Sequence, residues 1–173
     1  CDDQGSSRIS RPDPSTVEAV PVGLPSDVES FPKLDLKQDW PWWRGPGRNG
    51  YAAEGAAPPT ELNPAKAKWQ ASVPGRGHGS PIVVGNRIFL LTATEDQQQH
   101  LVLAFDRATG EQVWKTEINQ GGFPDQNHPK NTEASPTLAC DGEKIFAAVY
   151  HHDKIELSAL DLEGKVFWRA DLG

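Results

Sequence analysis

The sequence predicts an all-β chain built from repeated four-stranded antiparallel sheets. Three observations carry that prediction. The stretch "LVLAFDRATGEQVWKTEI", Leu101 to Ile118, places two short apolar runs around the turn-forming "DRATGEQ". The stretch "IELSALDLEGKVFWRADLG", Ile155 to Gly173, repeats it, with Ala104 matching Ala159, Asp106 matching Asp161, Gly110 matching Gly164 and Trp114 matching Trp168. Each copy follows another matching pair, "SPIVVGNRIFLL" (Ser80 to Leu91) and "SPTLACDGEKIFAAV" (Ser135 to Val149). Parts repeated in a fixed order at this period mark a repeat architecture.

The elements follow in chain order. Residues 1–39 are rich in Pro, Ser and Asp and show no apolar period, so they are expected to form a disordered tether. A cysteine at position 1 ahead of a polar tether resembles a mature bacterial lipoprotein. Lipid on Cys1 would hold the protein to a membrane without a spanning segment. Residues 40–173 are expected to hold the fold. In "DWPWWRGPGRNG", Trp40, Trp42 and Trp43 crowd around Arg44 and read as a strap pinned to a core, with a stacked sugar or protein as the other use of such a cluster. "AKWQASV" (67–73) reads as a stray last strand whose sheet partners are missing, with Trp69 where Trp114 and Trp168 fall.

The first full unit spans 80–118. Gly85-Asn86 supplies its first tight turn. In the second turn, Asp106 can accept from the backbone N–H groups that follow, and Gly110 can take a positive φ. A long loop, "NQGGFPDQNHPKNTEA", leads to a second unit spanning 135–172, where Asp141-Gly142 turns the first hairpin. Its later turn is one residue shorter and lacks the counterpart of Thr109. Around Leu101 both alternate sets are apolar, Leu101, Leu103 and Phe105 on one face, Val102 and Ala104 on the other. Sheets buried on both faces must stack on one another. Stacking around an axis gives a β-propeller, and two units plus a strand would make an incomplete one, since propellers run to about four to eight blades.

These residues resemble the PQQ-like (quinoprotein-type) β-propeller repeat family, in particular its secreted and lipoprotein bacterial members. The resemblance covers about 40–173. It rests on the repeat motif Asp106, Thr109, Gly110 and Trp114, on its shorter copy Asp161, Gly164 and Trp168, and on "DWPWWRGPGRNG" followed by "GRGHGSP". It implies that each repeat tryptophan docks on the neighbouring blade. The implied function is a non-catalytic binding or scaffold module of a cell-envelope lipoprotein, on the periplasmic or extracellular side. Two alternatives stand beside it. One is the N-terminal fragment of a PQQ-dependent quinoprotein dehydrogenase, which would bring PQQ and calcium. The other is the extracytoplasmic sensor domain of a kinase-like signalling protein. The vicinal cysteine pair and calcium ligands of such dehydrogenases have no counterpart here, so no cofactor is assigned to this chain.

Composition narrows the partners. A net charge of −7 argues against nucleic acid. No run approaches the roughly 18 apolar residues of a spanning helix. Two cysteines make neither a disulfide framework nor a metal quartet, and Cys140 reads as a small buried hydrophobe. "GRGHGS" (75–80) lacks the Lys-Ser/Thr end and following helix of a phosphate cradle, so its glycines read as tight backbone turning. His78 and His128 lie in loops that approach a Ser-Pro strand, which places both on one rim, with Lys130 and Asn131 beside His128. These four are the candidate ligand-rim residues, with loop-fixing hydrogen bonds as the alternative use. The ligand would be a protein, a carbohydrate or another small molecule. His151-His152 reads as a solvated hairpin tip. No nucleophile–base pair or paired carboxylates stand out, so no catalytic or metal residue is assigned.

Overall fold

The computed structural model describes residues 34–52, 54–61 and 63–173. Cys1 and the expected tether lie outside the described residues, apart from 34–39.

Among the described residues, eight strands form two four-stranded antiparallel sheets, each with its strands in sequence order. The first contains β1 (Ile82–Val84), β2 (Arg87–Thr94), β3 (Gln99–Asp106) and β4 (Gln112–Gln120). The second contains β5 (Ala139–Cys140), β6 (Lys144–His151), β7 (Lys154–Asp161) and β8 (Val166–Asp171). The all-β class, the hairpin order and the two-sheet arrangement agree with the sequence reading and with an incomplete propeller.

Turn chemistry sets the register. Asp106 Oδ1 accepts from Ala108 N (2.8 Å) and Thr109 N (3.0 Å), and Thr109 Oγ1 accepts from Glu111 N. Gly110 follows at φ +75°. In the second sheet Asp161 Oδ1 accepts from Glu163 N and Lys165 N, with Gly164 at φ +90°. Loss of the threonine shortens the turn without changing its anchor. Phe89 then pairs with Ala104 and Ala104 with Trp114, just as Phe146 pairs with Ala159 and Ala159 with Trp168. A register shift falls next to the alanine in both sheets.

The main core lies between the sheets. Phe89, Leu91, Val102, Ala104 and Ile118 of the first pack with Ile145, Ala147, Val149 and Leu160 of the second. The other face of the first sheet buries Leu101, Leu103 and Phe105, with Ala71 packed on them.

Residues 67–73 correct one expectation. They carry no ladder pairing, so this segment is not a strand in a sheet. Trp69 nevertheless takes the repeat position. Its indole lies over Gly110, where an added Cβ would sit 2.4 Å from the ring, and its Nε1–H donates to Arg107 O at 3.1 Å. Trp114 does the same one sheet later, over Gly164 and onto Leu162 O at 3.0 Å.

The strap is pinned by backbone bonds. Asp35–Asp39 closes a turn through Asp39 N to Asp35 O, and Asp39 Oδ1 accepts from Gly85 N at 2.8 Å. Trp40 and Val83 exchange two hydrogen bonds, and Pro41 O accepts from Cys140 N. The strap thus runs along the free edges of β1 and β5. The tryptophans do not share one arginine: Arg44 lies over Trp43, Arg48 lies over Trp42, and Trp40 packs on Gly45.

Candidate functional site

Strand direction sorts the loops into two rims. The Gly85-Asn86, Asp106–Gly110, Asp141-Gly142 and Asp161–Gly164 turns lie at one end of the sheets. The other end holds the 95–98 turn, the 121–136 loop, the 152–153 turn and the approach loop 74–79. All four rim candidates fall at this second end.

Glycine lets the approach loop lie flat. A Cβ on Gly75 would sit 2.0 Å from Ala93 O, and one on Gly79 would sit 2.3 Å from Pro136 O. The backbone uses that closeness. Arg76 bridges to Ala93, His78 N and Gly79 N both donate to Ala134 O at 3.1 Å, and Ser80 N donates to Thr137 Oγ1. Arg76 also spans the rim, with Nη1 3.2 Å from Glu95 and Nη2 3.5 Å from Asn131 O. The two Ser-Pro segments are therefore stitched side by side.

The 127–135 turn is held by its own side chains. Asn127 Oδ1 accepts from His128 N and from Asn131 Nδ2, while Asn127 Nδ2 donates to Glu133. His128 Nδ1 accepts from Lys130 N at 3.2 Å. The Ser135 hydroxyl lies between Asn131 Oδ1 and Thr132 O. Thus His128, Lys130 and Asn131 share one turn, and His128 has a loop-fixing bond. His78 reaches that turn only through its backbone; its ring is exposed, as are His128 and Lys130.

Beneath the rim lie two histidines that sequence reasoning misplaced or missed. His151 is buried, which corrects the reading of His151-His152 as a solvated tip. The turn is His152-Asp153, both at positive φ (47° and 59°), and His151 is the last residue of β6. Two positive-φ residues make a tight hairpin turn that starts one residue later than the sequence suggests. His151 Nε2 lies 3.7 Å from Glu156 Oε2, and its ring edge meets His152 at 5.2 Å. Burial holds its pKa down, and Glu156 opposes that shift.

His100 is fully buried in β3. Its Nε2–H donates to Glu133 O at 3.1 Å, and Asn119 Nδ2 approaches its Nδ1 at 3.4 Å. Phe123 packs on the ring at 4.7 Å. This is the environment of a neutral imidazole: burial pushes its pKa down to about 4, with nearby His151 adding to the shift. The single signal for His100 is a lone polar residue at the head of the apolar run "HLVLAF".

A polar crevice of about 240 Å³ opens beside these groups, lined by Glu117, Asn119, Gln120, Glu156 and Arg169. Arg169 Nε lies 3.5 Å from Glu156. At the strap, a larger apolar cavity of about 470 Å³ is lined by Leu36, Trp42, Arg48, Cys140 and Phe146. Cys140 is buried and accepts from Gly142 N, and burial pushes its thiol up to about 11. A thiol held protonated in this way is a packing group rather than a nucleophile. Among the described residues, no three His, Cys, Asp or Glu side chains cluster to hold a metal ion.

The repeat geometry meets an independent finding here. The family described as Outer membrane protein assembly factor BamB, a PQQ-repeat family, matches residues 51–173. The chain belongs to this family. Among curated proteins, none matches the chain. The match spans both sheets and the Trp69 segment, the parts that share the indole-over-glycine contact.

Proposed function

We propose that this member of the family is a non-catalytic binding module of the cell envelope, held there by lipid on Cys1, which presents the His78–His128 rim to a polypeptide. The observation that carries the reading is the build of that rim. Side-chain and backbone bonds fix both loops, while His78, His128 and Lys130 stay exposed on them. A rigid loop that leaves polar groups free loses little entropy on binding. The family's description, an outer-membrane protein assembly factor, favours a polypeptide over a sugar or quinone.

A photo-reactive side chain in place of Lys130, in the full lipid-bearing protein in cells, tests this. The expected result is an adduct with one envelope polypeptide, absent when the probe replaces Glu163 on the opposite rim. Equal adducts from both rims, or none, overturn the rim reading. Calcium-dependent, stoichiometric binding of pyrroloquinoline quinone would instead favour the dehydrogenase alternative. Mass spectrometry of the N-terminal peptide reads the lipid on Cys1 separately, and an unmodified thiol removes the anchor.

A further inference from the structure

His100 breaks the repeat. Laid over the second sheet by the Ala104–Ala159 match, its position holds Ile155 there. A histidine buried at that node is tied to both ends of the rim loop. At the far end, its Nε2 meets Glu133 O at 3.1 Å. A carbonyl can only accept, so Nε2 carries the hydrogen and Nδ1 is left as an acceptor. At the near end, Asn119 Nδ2 lies between that Nδ1 (3.4 Å) and Gly121 O (3.1 Å). Phe123 packs on the ring between the two ends. One neutral imidazole thus fastens the stretch from Gly121 to Glu133, which carries His128, Lys130 and Asn131.

A proton on Nδ1 would undo this fastening. The acceptor becomes a donor that points at the amide donor of Asn119, and the Asn119 bond to Gly121 O depends on that same amide. Nothing beside the ring compensates the new charge. The first sheet offers Ala93 and Asn119, the loop offers the Phe123 ring and the Glu133 carbonyl, and the second sheet offers His151. The Glu133 carboxylate is engaged by Asn127 Nδ2 instead. His151 is no counter-ion. It is buried, and neither of its ring nitrogens has a hydrogen-bond partner among the described residues. It faces Glu156 and Lys154 of β7, Asp171 of β8 and His152 of the turn, while Arg169 reaches Glu156 from the other side. A proton taken by His151 would pair with Glu156 and set a second cation near His100. Asn119 and Glu156 both line the polar crevice of about 240 Å³, which gives protons a path to the pair.

We infer that His100, with His151 behind it, is an acid-sensitive clasp: protonation releases the Gly121–Glu133 loop from the sheet ends and so loosens the rim. The closed loop holds the His100 pKa down at about 4. An open loop returns the ring to water and to its ordinary value, so the open form binds a proton that the closed form refuses. From pH 7 to 5 the open-to-closed ratio should therefore rise about 20-fold. The clasp concerns how the loop is fastened, whatever the rim binds, so the cross-link at Lys130 and this inference fail independently.

Hydrogen exchange in the full protein tests it, with intrinsic rates corrected for pH. The amides to follow are Gly121, which donates to Gln98 O, and His152, which donates to Gly122 O. Their opening should increase about tenfold or more from pH 7 to 5 and stay insensitive to low urea, as local release requires. His100→Gln, which cannot titrate, should remove most of that increase. Asn119→Asp gives the protonated ring a carboxylate to donate to, so acid should then close the loop rather than open it. This second variant decides the matter if glutamine is not tolerated at position 100. Four results overturn the inference: equal opening at pH 7 and 5; opening that grows with urea as steeply as that of the β3 amides, which would mean whole-fold unfolding; a wild-type acid response in His100→Gln; or a wild-type acid response in Asn119→Asp.

Discussion

The two sheets share strand order, register marks and turn anchors, but they differ in what each face meets. Phe89 and Phe146 are the same residue at the same node. Phe89 is fully buried under the second sheet, and Phe146 is half-buried beside Trp168. The opposite faces differ in kind. Where the first sheet has Leu101 and Leu103, the second has Glu156 and Ser158, turned toward the seam that also holds His151. Residue type at a node is thus set by the repeat, and its energetic weight by the neighbour. A hydrophobic side chain stabilises only to the extent that another surface removes it from water.

The largest expected effect breaks the comparison most directly. Phe89→Ala removes a fully buried ring and leaves a cavity, a change that costs about 3–5 kcal/mol. Phe146→Ala removes a ring that is already partly in water, and its cost is about 1–2 kcal/mol on area grounds. Urea unfolding of the two variants reads the difference as a shift in midpoint. Equal shifts would mean that the open face of the second sheet is covered in solution.

A second difference is titratable. His100 pairs with Ala93 in the first sheet, where the second places Ile155 opposite Tyr150. The folded-state pKa of His100 is lowered from 6.5 to about 4. Below pH 6.5 the unfolded chain takes up a proton that the folded one refuses, so stability falls as pH drops toward 4 and is flat again below it. The contribution is on the order of 3 kcal/mol across that window. His151, also lowered by burial, acts with the same sign. Asp106 and Asp171 have pKa values held below 3.8, so their own losses come at lower pH. Denaturant midpoints measured from pH 7 to 4 should fall, and His100→Gln should flatten most of that slope. An unchanged slope in the variant would place the acid sensitivity elsewhere.

Much of this was legible in the sequence because it is local. Asp106, Gly110 and Trp114 and their copies are spaced by turn chemistry, and that spacing fixes register without any long-range information. The shared rim of His78 and His128 also followed from strand order alone. What stayed hidden depends on contacts between distant segments. The Trp69 segment has strand composition, yet it joins neither sheet and is held instead by its indole contact at Gly110. His151 looks like a turn residue beside His152 and Asp153, and a one-residue shift of the turn sends it inward. The bonds of Asn127, Ser135 and Ala134 follow no period, so nothing in the pattern announces them.

The smallest effect sharpens the comparison at one atom. Trp114→Phe keeps an aromatic ring beside Phe89 but removes the Nε1–H that donates to Leu162 O. The lost bond joins the two sheets, and the carbonyl left behind lies at a partly covered turn that water can reach. The net cost of such a bond is about 1 kcal/mol. Trp168→Phe removes the same atom from the same node, where no acceptor faces it among the described residues, and an exposed change of this kind stays within about 0.5 kcal/mol. The pair of variants, compared in one urea series, isolates the contact from the residue. A cost for Trp168→Phe as large as that for Trp114→Phe would show that the third indole already has its glycine turn, and the two sheets would then be equivalent.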